Sequence, residues 1–314
     1  MTSFLKNQNT YNGEIDEFVS RRYQIIALLS IGGTAEIYQA IDTSNKSKVV
    51  IKILPPHYSA DNEKGKEDSK GKTLDISHRI IEKSAEFMTQ EANFLKNCNH
   101  PNIIRLLDHN LEAKRPYIVL NYLGDSTLEN EILNSPRNFS IKKTLGILKQ
   151  ICSALSYVHK KGFVYCDIKP SNIISNRQKF TLIDFGLVRP IGMAVTGGTI
   201  GYMAPEVLQS NSGQVMSSPT LDIYSIGVLL YELLTGFHPL AIQKIYGINN
   251  RYSFDTQSIT DNRTIPSRAS NLNPLLPKGF DEVLLQCINK TPKDRYQNLD
   301  ALLMDFEKEA GKLI

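Results

Sequence analysis

Along residues 1–22 no hydrophobic period is sustained, and this stretch reads as a loosely ordered leader. From Tyr23 the pattern turns strand-like, in the runs Tyr23–Leu29, Glu36–Ile41 and Lys48–Ile53 and later in Ile103–Leu107 and Pro116–Leu120. Glu91 opens a helical pattern that stops before Pro101. Ile141–Lys160 is a long amphipathic run, with Leu145, Leu148, Ile151, Leu155 and Val158 on one stripe and Gly162 at its end. Ile173–Ile174 and Phe180–Ile183 predict a short hairpin. The most apolar run, Leu221–Leu234, is short for a membrane span and carries Asp222 and Glu232, so it predicts a buried helix.

One segment breaks the pattern. Asp61–Lys72 is charged, of low complexity and free of apolar residues, so it cannot bury surface. It predicts an insertion over 55–75, and two readings of it stay open: a tolerated surface loop or a regulatory element.

Composition narrows the class. With 314 residues, 41% of them hydrophobic and 22% charged, the chain can bury a substantial core as one large domain or two lobes. The net charge of +4 is mild and no Lys/Arg block stands out, which argues against nucleic acid as a partner. Four cysteines (Cys98, Cys152, Cys166, Cys287) form no C-x-x-C pair. That argues against zinc or a disulfide scaffold and for a reducing compartment. Met1–Asn12 is polar, without the apolar centre of a signal peptide. The expectation is a cytoplasmic protein with no membrane partner.

The chemistry concentrates in Val164–Asn172. Asp167, Lys169 and Asn172 place a carboxylate, an ammonium and a carboxamide at D-x-K-x-x-N spacing. Phosphoryl transfer from ATP to a hydroxyl needs these three types. The carboxylate orients the hydroxyl and accepts its proton, the cation offsets charge on the moving group, and the amide oxygen holds a metal. Upstream, Gly32 and Gly33 sit between two strand patterns, where backbone N–H groups can approach polyphosphate without Cβ interference. Asp184-Phe185-Gly186 follows a strand soon after the D-x-K-x-x-N loop.

In order, these stretches resemble the protein kinase family, of the serine/threonine, bacterial type. Val164–Asn172 is similar to its catalytic loop, with Tyr165 and Cys166 where His and Arg are usual. Leu29–Tyr38 resembles the glycine-rich loop, with Ser30 and Ala35 replacing its first and third glycines. Val49-Val50-Ile51-Lys52 resembles V-A-I-K, and the stretch from Glu91 to Ile103 resembles the helix that carries the lysine's partner. Leu120–Gly124 is like the hinge, Asp184–Gly186 the metal-binding segment, and Gly198–Glu206 the G-T-x-x-Y-x-A-P-E segment. Asp222–Gly227 resembles the start of the central helix, and Arg295 the arginine that pairs with the glutamate of A-P-E.

The resemblance implies an α+β, bilobal protein-kinase fold. Its N-lobe (23–120) would be a small antiparallel sheet with one main helix; a hinge (121–124) would lead to a larger, mainly helical C-lobe (125–311). It implies catalytic roles for Asp167, Lys169 and Thr199. It implies nucleotide contacts from Leu29, Gly32, Gly33, Ile37, Val50, Lys52, Glu91, Leu120, Asn121, Leu123 and Ile174. Asn172 and Asp184 would hold Mg²⁺ (or Mn²⁺). ATP and proteins bearing Ser/Thr hydroxyls would be the partners. Asp222 would take backbone N–H groups of the catalytic loop.

Two rival readings remain at this level. A pseudokinase acting as a nucleotide-sensing binding module would have lost Lys52, Asp167, Asn172 or Asp184, all of which are present. A small-molecule phosphotransferase would generally lack the segment ending at Glu206 and its partner Arg295. Cys166 removes a cation beside the catalytic loop, which predicts weak dependence on phosphate at Thr196 or Thr199 unless another arginine takes its place in space. Substrate, regulator and oligomeric state are not legible.

Overall fold

The structure, a computed structural model, describes residues 21–313 apart from 33, 56–72, 136–138, 196, 211–214, 241–242, 245–251, 254–258, 262–263 and 265. For 73–81, 243–244 and 252–253 it describes the backbone alone. Nearly all of the leader, most of the charged insertion, Gly33 and Thr196 therefore lie outside the described residues. By packing, the chain divides into two units. One holds the described residues up to Cys98 with Arg105–Tyr122; the other holds Asn99–Ile104 with the described residues from Leu123 on.

The first unit is an antiparallel sheet with one long helix. Its strands are β1 (Tyr23–Ile31), β2 (Glu36–Asp42), β3 (Lys48–Ile53), β4 (Leu106–Asn110) and β5 (Tyr117–Asn121), in the order β1-β2-β3-β5-β4. The helix α1 (Thr73–Lys96) enters between β3 and β4. Alternation sets the two faces. Tyr38, Ala40, Val49, Ile51, Ile53, Tyr117 and Val119 form a buried cluster with Tyr23 on one face. Ile37 pairs with Lys52, and Val50 with Leu120, on the other. The sheet's two edges are tied together: Tyr23 Oη and Arg22 Nη1 each donate to Asp108 Oδ2 at 2.9 Å.

The strand read as Ile103–Leu107 is displaced: β4 runs Leu106–Asn110. Ile103 and Ile104 belong to the second unit and are buried within it, where Ile104 N donates to Leu182 O at 3.0 Å. Apolar character there reflects burial at a turn, while β4 itself, carrying Asp108, His109 and Asn110, is half-buried and polar.

The second unit is mainly helical. After α2 (Leu128–Asn134) comes α3 (Ile141–Lys160), capped by Ser140, whose hydroxyl accepts from Lys143 N. Its buried stripe includes Ile147, Leu148, Ile151, Leu155 and Val158. Four short strands follow: β6 (Phe163–Val164) pairs with β9 (Arg189–Pro190), and β7 (Ile173–Asn176) with β8 (Lys179–Leu182). Helix α4 (Pro205–Gln209) precedes α5 (Pro219–Thr235), which is buried on every side and closed by Gly236 in the left-handed region. Gln243–Lys244 and Tyr252–Ser253 form a small two-stranded sheet, β10 and β11. Helices α6 (Ala269–Leu272), α7 (Gly279–Cys287) and α8 (Leu299–Gly311) complete the unit. The α+β expectation holds. No helix among the described residues is long and apolar enough to cross a membrane.

Candidate active site

The catalytic loop hangs from α5. Asp222 is fully buried, and its carboxylate accepts from Tyr165 N at 3.0 Å and Cys166 N at 2.8 Å, as expected from the sequence, with His159 Nε2 also at 2.7 Å. These bonds fix the loop where Cys166 has a φ of 69°, a conformation that costs a non-glycine residue energy and persists because the surroundings over-determine it. Tyr165 replaces the usual histidine as a buried strut. Its hydroxyl donates to Ile183 O and its ring meets Phe185 edge-on, with centroids 4.9 Å apart.

Beyond this anchor the functional side chains converge. Asp167 Oδ1 accepts from Thr199 Oγ1 at 2.7 Å, and Asp167 Oδ2 lies 2.9 Å from Lys169 Nζ. Lys169 Nζ also donates to Thr199 Oγ1 at 2.8 Å. Asn172 Nδ2 donates to Asp167 Oδ2 at 2.8 Å and to Asp167 O at 2.9 Å. The short helical turn Pro170–Asn172 swings Asn172 back over Asp167. Ile183 N donates to Asn172 O at 3.0 Å, which joins the segment entering Asp184 to this loop. Asp184 itself has a φ of 61°, a second departure from ordinary backbone at the same site.

The donor set fits a hard divalent cation. With its nitrogen committed to Asp167, Asn172 has its carboxamide oxygen as the group to offer a cation. Asp184 adds a carboxylate. Magnesium is commonly held by one or two such protein oxygens and completes its shell with phosphate and water.

In the first unit, Lys52 Nζ sits 2.7 Å from Glu91 Oε2, with the glutamate side chain only 1% exposed. Ile37 and Val50 lie on the same face of the sheet as Lys52. Leu120 is opposite Val50 and buried. Gly32 N donates to Ala35 O at 2.9 Å in the turn between β1 and β2, while Leu29 is exposed at an irregularity in the β1–β2 pairing. Asn121 is tied to Arg105 twice, its Oδ1 accepting from Arg105 N at 2.7 Å and its backbone N donating to Arg105 O at 3.1 Å. In the second unit Leu123 O accepts from Asn176, and Ile174 bridges to Thr127. Each unit thus gathers its own share of the expected residues.

Sequence reading missed five side chains here. His159 on α3 joins Asp222. Arg189, three residues past Gly186, is buried and close enough to act on the Cys166 thiol. Burial and the neighbouring carboxylates push that thiol far up, and Arg189 opposes them. Both readings of Cys166 stay open, since among the described residues no bond between Arg189 and Cys166 accompanies this effect. His238 Nε2 lies 2.9 Å from Gly201 O, and Glu36 pairs with Arg115 in the first unit. Only Arg189 had a signal, its distance from Asp184-Phe185-Gly186.

Further down, Glu206 and Arg295 meet in a two-point pair at 2.8 and 2.7 Å, with the arginine side chain fully buried. With this geometry in hand, comparison with known proteins is decisive on class. The family model of the protein kinase domain matches residues 23–306, so the chain belongs to the protein kinase domain family and has its fold. The chain is 30% identical to the serine/threonine-protein kinase PrkC of Bacillus subtilis over 93% of its own length and 41% of that protein's. It is 28% identical to the serine/threonine-protein kinase PknL of Mycobacterium tuberculosis over 93% of its length and 66% of that protein's. A probable serine/threonine-protein kinase of Clostridium acetobutylicum is 28% identical over 92% of this chain and 40% of its own. The chain therefore spans between two fifths and about two thirds of these relatives.

Proposed function

We propose that this chain transfers the γ-phosphoryl group of ATP to serine and threonine hydroxyls of proteins, with residues 23–311 as its catalytic domain and 121–124 as the hinge. The observation that supports this most is the closed set around Asp167, in which Thr199, Lys169 and Asn172 hold both carboxylate oxygens. Asp167 orients the acceptor hydroxyl and takes its proton while the new oxygen–phosphorus bond forms. The bond from γ-phosphorus to the β,γ-bridging oxygen breaks, and ADP leaves with the electron pair. Lys169 offsets charge on the moving group. Lys52, braced by Glu91, positions the α- and β-phosphates. Gly32 and Gly33 offer backbone to phosphate; Leu29, Ile37, Val50, Leu120 and Ile174 offer apolar contact to the base; Asn121 and Leu123 offer backbone groups to it.

A divalent cation, when bound, neutralises phosphate charge, and Asp184 and Asn172 are the residues that would hold it, as Mg²⁺ or Mn²⁺. The relatives' names and Lys169 in D-x-K-P-x-N favour serine/threonine acceptors. Four free cysteines support a cytoplasmic setting.

The test is label transfer from radiolabelled ATP to a mixed acceptor protein, followed by phosphoamino-acid analysis. Label on serine and threonine, lost in Asp167→Ala, is the expected result. Nucleotide binding without turnover in the purified wild type would make the chain a binding module instead.

A further inference from the structure

Glu36 is a carboxylate in the wrong place for a sheet core. It is the first residue of β2, immediately past the turn in which Gly32 N donates to Ala35 O. By alternation its side chain lies on the face that holds Tyr38, Ile51, Ile53 and Tyr117, opposite the face of Ile37 and Lys52. Its side chain is 8% exposed and that of its partner Arg115 is 7% exposed. Glu36 Oε2 takes Arg115 Nη2 at 2.6 Å and the Tyr38 hydroxyl at 2.9 Å. Arg115, on the connection from β4 to β5, also gives Nε and Nη2 to Leu54 O at 2.9 and 2.7 Å. Leu54 N in turn donates to Pro116 O at 3.0 Å.

A buried pair of this kind is a poor way to gain stability, because desolvating two charges cancels most of their attraction and apolar side chains of similar volume commonly do as well. What it does supply is direction. The guanidinium fork fixes one end of β3 and the β4–β5 connection to the residue on which the glycine-rich turn descends. The turn has lost two of the glycines usual at such loops, and its conformation depends correspondingly more on what holds its arms.

We propose that Glu36 and Arg115 are positioning residues for nucleotide binding: acting through the backbone of β2, they hold the Gly32–Ala35 turn and Ile37 in the form that accepts ATP phosphates. This rests on the kinase reading above. Neither residue faces the nucleotide side of the sheet, so the effect is indirect.

The experiment uses Glu36→Gln, Arg115→Met and the double variant, each measured for MgADP affinity by calorimetry, thermal midpoint, and hydrogen exchange of amides in residues 27–37. Either single change leaves a buried charge without its partner and lowers the thermal midpoint. The double variant carries no buried charge there; it regains most of the midpoint yet binds MgADP at least tenfold more weakly, with faster exchange confined to the turn. A double variant with wild-type affinity and exchange overturns the proposal. So does one that stays destabilised, because the pair is then structural. Wild-type protein that binds no MgADP defeats the kinase reading itself, a result separable from both.

Discussion

The Thr199 hydroxyl stands between Asp167 and Lys169, donating to Oδ1 of the one at 2.7 Å and accepting from Nζ of the other at 2.8 Å. One side chain on the segment leading to Glu206 therefore ties to both members of a pair that is itself in contact, with Lys169 Nζ 2.9 Å from Asp167 Oδ2. Removing it leaves Asp167 Oδ1 and Lys169 without the hydroxyl that orients them. Thr199→Ala is expected to lower kcat by about 100-fold, the scale of a misplaced catalytic group, with ATP affinity unchanged. Thr199→Ser keeps the hydroxyl and should retain most activity. Steady-state kinetics of the two variants checks this; equal losses in both would contradict the bridging role.

Asp184 and Asn172 offer the hard oxygens of the site. Metal should tighten nucleotide binding in the wild type and fail to do so in Asp184→Ala. Calorimetry with ADP in the presence and absence of Mg²⁺ measures the coupling directly. Unchanged coupling in the variant would move the metal elsewhere.

Lys52 and Glu91 form their pair within the first unit, where Lys52 is 11% exposed. In the proposed role Lys52 positions phosphates rather than the base, so its loss would fall on the transition state more than on ground-state binding. Lys52→Met is expected to cut kcat by more than tenfold while changing the KM for ATP less than threefold. The reverse split, a raised KM with kcat intact, would reject that role.

Gly227 illustrates packing that tolerates no side chain. A Cβ there would lie 2.4 Å from Cys287 Cβ and 3.3 Å from the Cys287 backbone. Gly-to-Ala in a helix ordinarily gains about 1 kcal/mol. Overpacking of this severity costs about 1–3 kcal/mol and more where backbone must move, so it wins. Gly227→Ala should lower the urea midpoint, and a stabilised variant would show that α5 and α7 can separate freely.

His238 adds a pH dependence to stability. Leu240 N donates to its Nδ1 at 3.1 Å, so its Nε2 bears the proton and donates to Gly201 O. Burial lowers its pKa to about 4. An unfolded chain protonates this group near 6.5 while the folded one does not until near 4. Its stability contribution is therefore complete above about pH 6.5 and is lost as pH falls toward 4, amounting to about 2 kcal/mol between pH 7 and pH 5. Urea unfolding at those two values should show that loss in the wild type and a smaller one in His238→Gln.

Much of this protein was legible in the chain alone. Catalytic-loop residues are close in sequence, so a short backbone turn fixes Asp167, Lys169 and Asn172 relative to one another, and spacing is enough to find them. The amphipathic stripe of Ile141–Lys160 and the apolar run at Leu221–Leu234 likewise announce a half-buried and a buried helix, because periodicity reports burial. Family resemblance supplied the pairings Lys52–Glu91 and Glu206–Arg295 that spacing could not.

Tertiary structure decided the rest. The apolar Ile103–Ile104 looked like a strand because burial and strand formation leave the same hydrophobic mark; only packing against Leu182 shows which it is. Glu36 and Arg115 lie 79 positions apart, and each alone reads as an ordinary surface charge. Arg189, 23 positions on, is brought near enough for its charge to act on the Cys166 thiol, and His238 reaches Gly201 across 37 positions. Local sequence encodes side chains a turn or two apart, whereas a buried charge finds its partner only when desolvation makes solitude costly, and that cost exists only in the folded chain.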